Sequence, residues 1–165
     1  MKRYDLLFDP CKPDAAFVER LGFDEVFLAR KNSSSPLCAS SDASALMKAA
    51  QNGAAAVAIT DFTIDRKLLA RLKENGTVLC MPFAPILSRN GLERAKLLYK
   101  AATLLRYAYN KRIEVSFASL AESELYMNSC IQLVELAKLL GATEGQARLG
   151  IGDVNRRIGE AIGKG

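Results

Sequence analysis

Short apolar runs alternate with helical stretches along most of this chain, and that alternation constrains the fold more than any other feature. YDLLF (4–8), DEVFLA (24–29), LCAS (37–40), AAVAIT (55–60), TVLCMPF (77–83) and IEVSF (113–117) read as strands. Between most of them lie helix signals. One helix opens near Pro13-Asp14 and closes at Leu21-Gly22. A second runs from Ser41 or Asp42 to about Gln51 and stops at Asn52-Gly53; a third runs from about 64 to 74 and stops at Asn75-Gly76. Asp suits such starts and Gly such ends because each satisfies backbone groups that a helix leaves unpaired. Residues 31–36 (KNSSSP) read as loop, a long helix precedes the sixth strand, and the tail from about residue 129 is helical in two or three pieces. The strand candidates are apolar throughout, as expected for strands buried on both faces. Strand and helix in alternation, with short connections, make a parallel sheet with helices packed outside it. The expected architecture is α/β, a small or incomplete βα barrel or a doubly wound sheet, in a single domain over residues 1–165.

Charge is the second informative feature. The net charge is +5, but residues 61–112 carry 11 basic and 4 acidic side chains, a net of +7, so the remainder sums to −2. A localised basic patch is the electrostatic footprint of a phosphate or nucleic-acid partner. Its densest part is SRNGLERAKLLYKAATLLRYAYNKR (88–112), where Glu93 is the only acid. At about 100° per residue, Glu93, Lys96, Lys100, Thr103, Tyr107 and Lys111 share one arc of that helix, extended by Arg89. Leu98, Ala101, Ala102, Leu105 and Tyr109 share the opposite arc, and a Glu93–Lys96 ion pair fits the spacing. Arg94 breaks the pattern: it falls on the apolar arc, in the first turn, overlooking the end of MPF (81–83) at the sheet's C-terminal edge. Ligands of α/β folds bind at that edge. A cation there also opposes the positive end of the helix dipole, so it needs an anion or another compensating partner.

Several chemistries are excluded or weakened. The chain has no histidine, which removes Ser-His-Asp triads, imidazole acid–base work and the commonest transition-metal ligand. No phosphate-binding loop motif is present. Asp5, Asp9, Asp61 and Asp65 lie near strands and suit Mg²⁺ binding or acid catalysis, but they equally suit helix caps and turns. Cys11, Cys38, Cys80 and Cys130 are widely spaced, with no C-x-x-C pair, against a disulfide framework or zinc site. No apolar run approaches the roughly 20 residues of a membrane span, and Asp5, Asp9 and Pro10 interrupt any signal-peptide core. A cytoplasmic protein with no membrane partner is expected.

The run ILSRNGLERAKLLYKAATLL, a strand ending SFA, and IQLVELAKLLGATEGQAR together resemble ribonuclease P protein component 3, the archaeal relatives of the eukaryotic thirty-kilodalton subunit. The most specific stretches are GLERAKLL (91–98) and LAKLLGA (136–142); TIDRKLLA also resembles the family at Ile64, Asp65 and Leu68. The resemblance covers residues 53–150 well and extends more loosely to YDLLFD and GFDEVFLARK at the start.

That resemblance implies a reduced TIM-barrel-like (PHP-like) fold, related to metal-dependent phosphoesterases but without their catalytic centre. It implies a subunit of an endoribonuclease whose RNA removes the 5′ leader from precursor tRNA. The implied partners are that RNA, precursor tRNA and a small ferredoxin-like protein subunit. No cofactor is implied, the Mg²⁺ being needed by the RNA and not held by a protein site. By position, Arg94, Asp65, Lys31 and the Ser116/Ala118 turn match the family. Two features depart from it: Arg66 stands where a histidine is usual, and LYMNSC (125–130) replaces an Arg-x-Pro-Arg-type element. About one βα unit is also missing between the second and third strands. With the charge pattern, the RNA-binding candidates are Lys31, Arg66, Arg89, Arg94, Lys96, Lys100, Arg112 and Ser116, with no catalytic and no metal-binding residue. Lys96, Lys100 and Lys111 equally fit a solvated helix face. Two other classes remain open: a small barrel-type enzyme holding a phosphorylated substrate at Arg94 and the Ser116 turn, and a scaffold that makes only protein contacts.

Overall fold

A computed structural model of the chain describes residues 1–30 and 35–163. Its six strands are β1 (Tyr4–Phe8), β2 (Glu25–Ala29), β3 (Leu37–Ser40), β4 (Ala56–Ile59), β5 (Val78–Pro82) and β6 (Val115–Ala118). The helices are α1 (Ala15–Arg20), α2 (Ala43–Gln51), α3 (Arg66–Asn75), α4 (Ala84–Leu87), α5 (Gly91–Asn110), α6 (Cys130–Leu139), α7 (Glu144–Leu149) and α8 (Asn155–Gly163). All ladders are parallel. β1 pairs with β2, and β3, β4, β5 and β6 pair in that order. The chain just past β6 joins the two groups: Leu120 N donates to Leu6 O and Phe8 N to Ala121 O, at 2.9 and 3.0 Å. The strands therefore follow one another as β2, β1, β6, β5, β4, β3. Among the described residues no ladder joins β2 to β3, and no helix separates them. Among the described residues β2 and β3 are thus the two edges of the sheet, at the connection where the sequence resemblance implies one βα unit fewer.

One face of the strands carries Val57, Ile59, Leu79, Met81, Val115 and Phe117, buried under Leu46 of α2, Leu68 and Leu72 of α3, and Leu104 and Leu105 of α5. These are the outer helices expected from the alternation. The opposite face is lined mainly by small side chains, among them Ala29, Ala39, Ala56, Ala58, Cys80 and Ala118. A closed eight-stranded barrel fills this space with large branched residues. Here the C-terminal segment fills it, inserting Ile158 and Ile162 of α8, with Val154 just before them, against Leu6, Phe8 and Phe27.

The helix reaches that face through a π-helical turn, Gly150–Val154. Ala147 before the turn and Ile151 early in it pack with the outer layer; Val154 at its end and Ile158 after it pack inside. The chain thus passes beneath the N-terminal ends of β6 and β1. Glycine is required for this passage: a Cβ on Gly150 would lie 2.8 Å from the Phe117 ring and 3.1 Å from the Val115 carbonyl oxygen. Asn155, wholly buried, fixes the crossing by donating from Nδ2 to Tyr4 O at 2.9 Å and Phe117 O at 2.8 Å. One amide therefore holds the first strand and the sixth.

Asp5 completes this junction. Its Oδ1 accepts from Leu6 N at 2.9 Å and Ser119 N at 2.7 Å, while Oδ2 is buried with no hydrogen-bond partner. Burial dominates, raising the Asp5 pKa from 3.8 to about 6 against the smaller lowering effect of the Ser119 and Leu6 hydrogen bonds. Because the folded pKa lies above the unfolded one, the favourable contribution of protonated Asp5 is complete below pH 3.8 and is lost as pH rises through about 6. The span corresponds to stability on the order of 3 kcal/mol. With no histidine in the chain to overlay it, urea unfolding between pH 4.5 and 6.5 is expected to show stability falling as pH rises. Asp5→Asn, which keeps the acceptor without the charge, is expected to flatten that slope.

Candidate nucleic-acid interface

The C-terminal ends of the strands surround a cleft of about 610 Å³, entered between Ser40 and Ser41 after β3, Thr60 after β4, Pro82 and Ser88 around α4, and Ser123 past β6. Its charged wall residue is Glu122; the other polar groups are hydroxyls. The carboxylates that sequence reading marked for metal or acid work are spread elsewhere. Asp65 caps α3 by accepting from Lys67 N and Leu68 N, and Asp61 accepts from Thr63 N and Oγ1 in a turn. Asp9 is exposed at the end of β1, and Asp5 is sealed in the β1–β6 junction. Among the described residues no three of His, Cys, Asp or Glu are placed to hold a metal ion. The four cysteines are free and buried.

A second cleft, about 570 Å³, adjoins the first and shares Ser41, Thr60, Pro85 and Ser88 with it. Its far wall is the first half of α5, which contributes Lys96 and Lys100; Arg89, just ahead of the helix, closes one end. Asp61 and Glu93 are the acids within it. Glu93 pairs with Arg89 at 4.0 Å and not with Lys96, so the expected Glu93–Lys96 pair is replaced. Among the described residues, Lys96 and Lys100 make no ion pair or side-chain hydrogen bond. They are exposed, uncommitted cations facing hydroxyl groups across a cleft, a geometry suited to phosphate oxygens.

Arg94 is committed to the protein. Its Nε donates to Arg89 O at 2.7 Å, and its Nη2 to Leu87 O at 2.9 Å and Asn90 Oδ1 at 3.5 Å. The guanidinium thus takes up the last carbonyl of α4 and the Arg89 carbonyl in the turn after it, whose partial negative charges offset the positive end of α5. This answers the dipole problem without a bound anion. Arg94→Ala is expected to lower stability by about 1–2 kcal/mol, read from the urea midpoint, through loss of charge-assisted bonds. Arg94→Lys is expected to restore little, because an ammonium cannot span two carbonyls as the fork does.

The remaining candidates separate. Arg66 is exposed at the start of α3, on the same C-terminal edge. Arg112 is exposed past the other end of α5, a 20-residue helix about 30 Å long, so it cannot share a site with Arg89. Ser116 corrects the expectation of an edge residue. It lies inside β6, opposite Cys80 in the ladder, with 0% exposure and its Oγ unpartnered. The strand starts two residues later and ends one residue later than its apolar run suggests, which moves Ser116 into the interior. Lys31 lies outside the described residues. Sequence reading missed the cluster of hydroxyls: Ser40 and Ser41 at the end of β3, Thr60 after β4 and Ser88 after α4 are far apart in the chain, and only the side-by-side alignment of the strand ends brings them together.

No protein-family model matches the chain, and no curated protein matches it. Among solved structures, the chain is similar to one in the cryo-EM structure of archaeal ribonuclease P with mature tRNA. The TM-score is 0.69 over 95% of this chain and 80% of that one, at 14% identity. It is also similar to an uncharacterized protein known from a crystal structure, with a TM-score of 0.57 and 14% identity, covering 88% of this chain and 36% of that one. At such identities the likeness is one of fold: parallel strands with outer helices.

Proposed function

We propose that this chain is a protein subunit of an archaeal-type ribonuclease P that binds and stabilises RNA and leaves cleavage of the precursor-tRNA leader to the RNA. The observation that carries the reading is the fold likeness to a chain of archaeal ribonuclease P over nearly the whole length. The charged cleft supports it. Lys96 and Lys100, with Arg89 and Arg66 nearby, offer positive charge at the strands' C-terminal edge. Cations so placed neutralise phosphates that otherwise repel one another in folded RNA, and they make affinity salt-dependent. In this reading the protein is non-catalytic, holds no metal of its own, works in the cytoplasm and acts beside a small ferredoxin-like subunit.

The enzyme alternative needs an acid or base at the strand mouth. Among the described residues the one carboxylate with a raised pKa, Asp5, does not line that cleft, which weighs against it. The test is cleavage of precursor tRNA by an archaeal ribonuclease P RNA at limiting Mg²⁺, with and without the small protein subunit. Rescue by this chain, with no cutting by the protein alone, supports the reading. Failure both to rescue and to bind the RNA overturns it.

A further inference from the structure

On its other side, α5 borders a third groove, about 460 Å³, whose α5 wall includes Tyr99, Arg106, Tyr109 and Asn110 and whose far wall includes Gly141 and Gln146. We propose that this groove binds an unpaired nucleotide of RNA, with Tyr99 as the stacking platform for its base. The inference rests on the RNA-subunit reading and goes beyond it, since contact with phosphates alone needs no aromatic group.

Tyr99 is 74% exposed, although aromatic residues of helices normally bury their rings. Among the described residues its hydroxyl has no hydrogen-bond partner, and Arg106 has neither ion pair nor hydrogen bond. Lys96 precedes Tyr99 by three residues, one turn away, on the wall that α5 gives to the second cleft. Arg106 follows it by seven, about 10 Å along the axis. Arg106 is the charged side chain of the groove's wall, and the helix around it carries six basic residues and no acid from Arg94 to Arg112, so an anion is favoured there. Asn110 and Gln146 supply amide groups. The Oε1 of Gln146 is held by Thr143 in a capping box, which leaves its NH₂ to donate outward. An exposed aromatic ring between cations, with amides at the groove wall, is the chemistry by which proteins hold splayed single-stranded bases. Tyr and Arg are also enriched in protein interfaces, so the test separates a base from a docked protein.

The chain has no tryptophan, so Tyr99→Trp introduces a single fluorescent reporter that can still stack. The probes are a 12-nucleotide oligoadenylate and a 12-base-pair RNA duplex, titrated over a range of salt. Tyr99→Ala is expected to weaken oligoadenylate binding roughly 5- to 150-fold, the range supplied by base–aromatic stacking, without changing the salt slope. Tyr99→Phe is expected to retain binding, and the duplex to be indifferent to all three changes. Tyr99→Trp fluorescence should be quenched by oligoadenylate and not by duplex. Circular dichroism of each variant separates misfolding from lost contact. If wild type binds RNA with a steep salt slope and Tyr99→Ala binds oligoadenylate equally well, this inference fails while the subunit reading stands. A Tyr99→Ala chain that binds RNA normally but releases the small protein subunit overturns it in favour of protein docking. If wild type binds neither RNA, both readings fall.

Discussion

Replacing Arg89, Lys96 and Lys100 together by alanine is expected to reduce the salt slope of RNA binding by about 2–3, since each lost phosphate contact removes roughly 0.7–0.9. If the salt-dependent term vanishes near 1 M, that reduction corresponds to about 100-fold weaker binding or more at 0.1 M. The fold should be unaffected. Lys96 and Lys100 are exposed and without ion pairs among the described residues, and the Arg89–Glu93 contact is a surface pair at 4.0 Å. Such pairs contribute less than about 1 kcal/mol. Lys111→Ala, at the far end of α5 with its ammonium over the Tyr107 ring, should change the slope by no more than about 1. Titrations at several salt concentrations, beside urea unfolding of the same variants, check both halves. An unchanged slope in the triple variant would move the binding surface away from this cleft.

The second large effect lies in the C-terminal helix and reverses sign over five residues. Gly150→Val should destabilise the chain by about 3 kcal/mol, because even the first added carbon meets Phe117 and the Val115 carbonyl. Neither can yield cheaply: Phe117 is fully buried against Phe83, and Val115 is fixed in the β5–β6 ladder. At roughly 2–4 °C per kcal/mol for a chain of this size, Tm should fall by about 6–12 °C. Gly145→Ala, one turn earlier in α7, meets nothing within 4 Å. It should stabilise by up to about 1 kcal/mol through helix propensity alone. Thermal melts of the two variants separate a glycine that clears a path from one that merely weakens a helix.

Those two glycines also mark how far the sequence could be read. Strands were legible because apolar runs between turn signals need no partner to be recognised, and five of the six kept their positions to within a residue or so. The sixth slid. Glu114 is exposed and Arg112 takes a left-handed φ of 56°, so β6 starts at Val115 and runs to Ala118. The shift carried Ser116 from the expected rim into the interior. APIL (84–87) continued an apolar run and concealed a helical turn, so the carbonyls that Arg94 caps were invisible. GIGDV gives no hint of a π turn, because its need for glycine comes from Phe117, more than thirty residues away. The basic groove was half legible: charge density showed in the composition of α5, whereas the hydroxyls facing it come from turns far apart in the chain. Tyr99 was hidden for another reason. An aromatic residue on a helix reads as core until its exposure is known.

Asn155 and Tyr4 are joined across 151 positions of sequence, and this sets an order of events during synthesis. Contacts of such separation are slow to form because a long loop must close before any stabilisation returns. When β1 and β2 first leave the ribosome, the helix that covers their inner surface has not yet been made. Until it arrives, Leu6, Phe8 and Phe27 have no cover on that side, and half-built α/β layers of this kind are prone to aggregate. β1 and β2, made well before α8, are thus secured late, and the yield of native protein in the cell depends on what shields them in the interval.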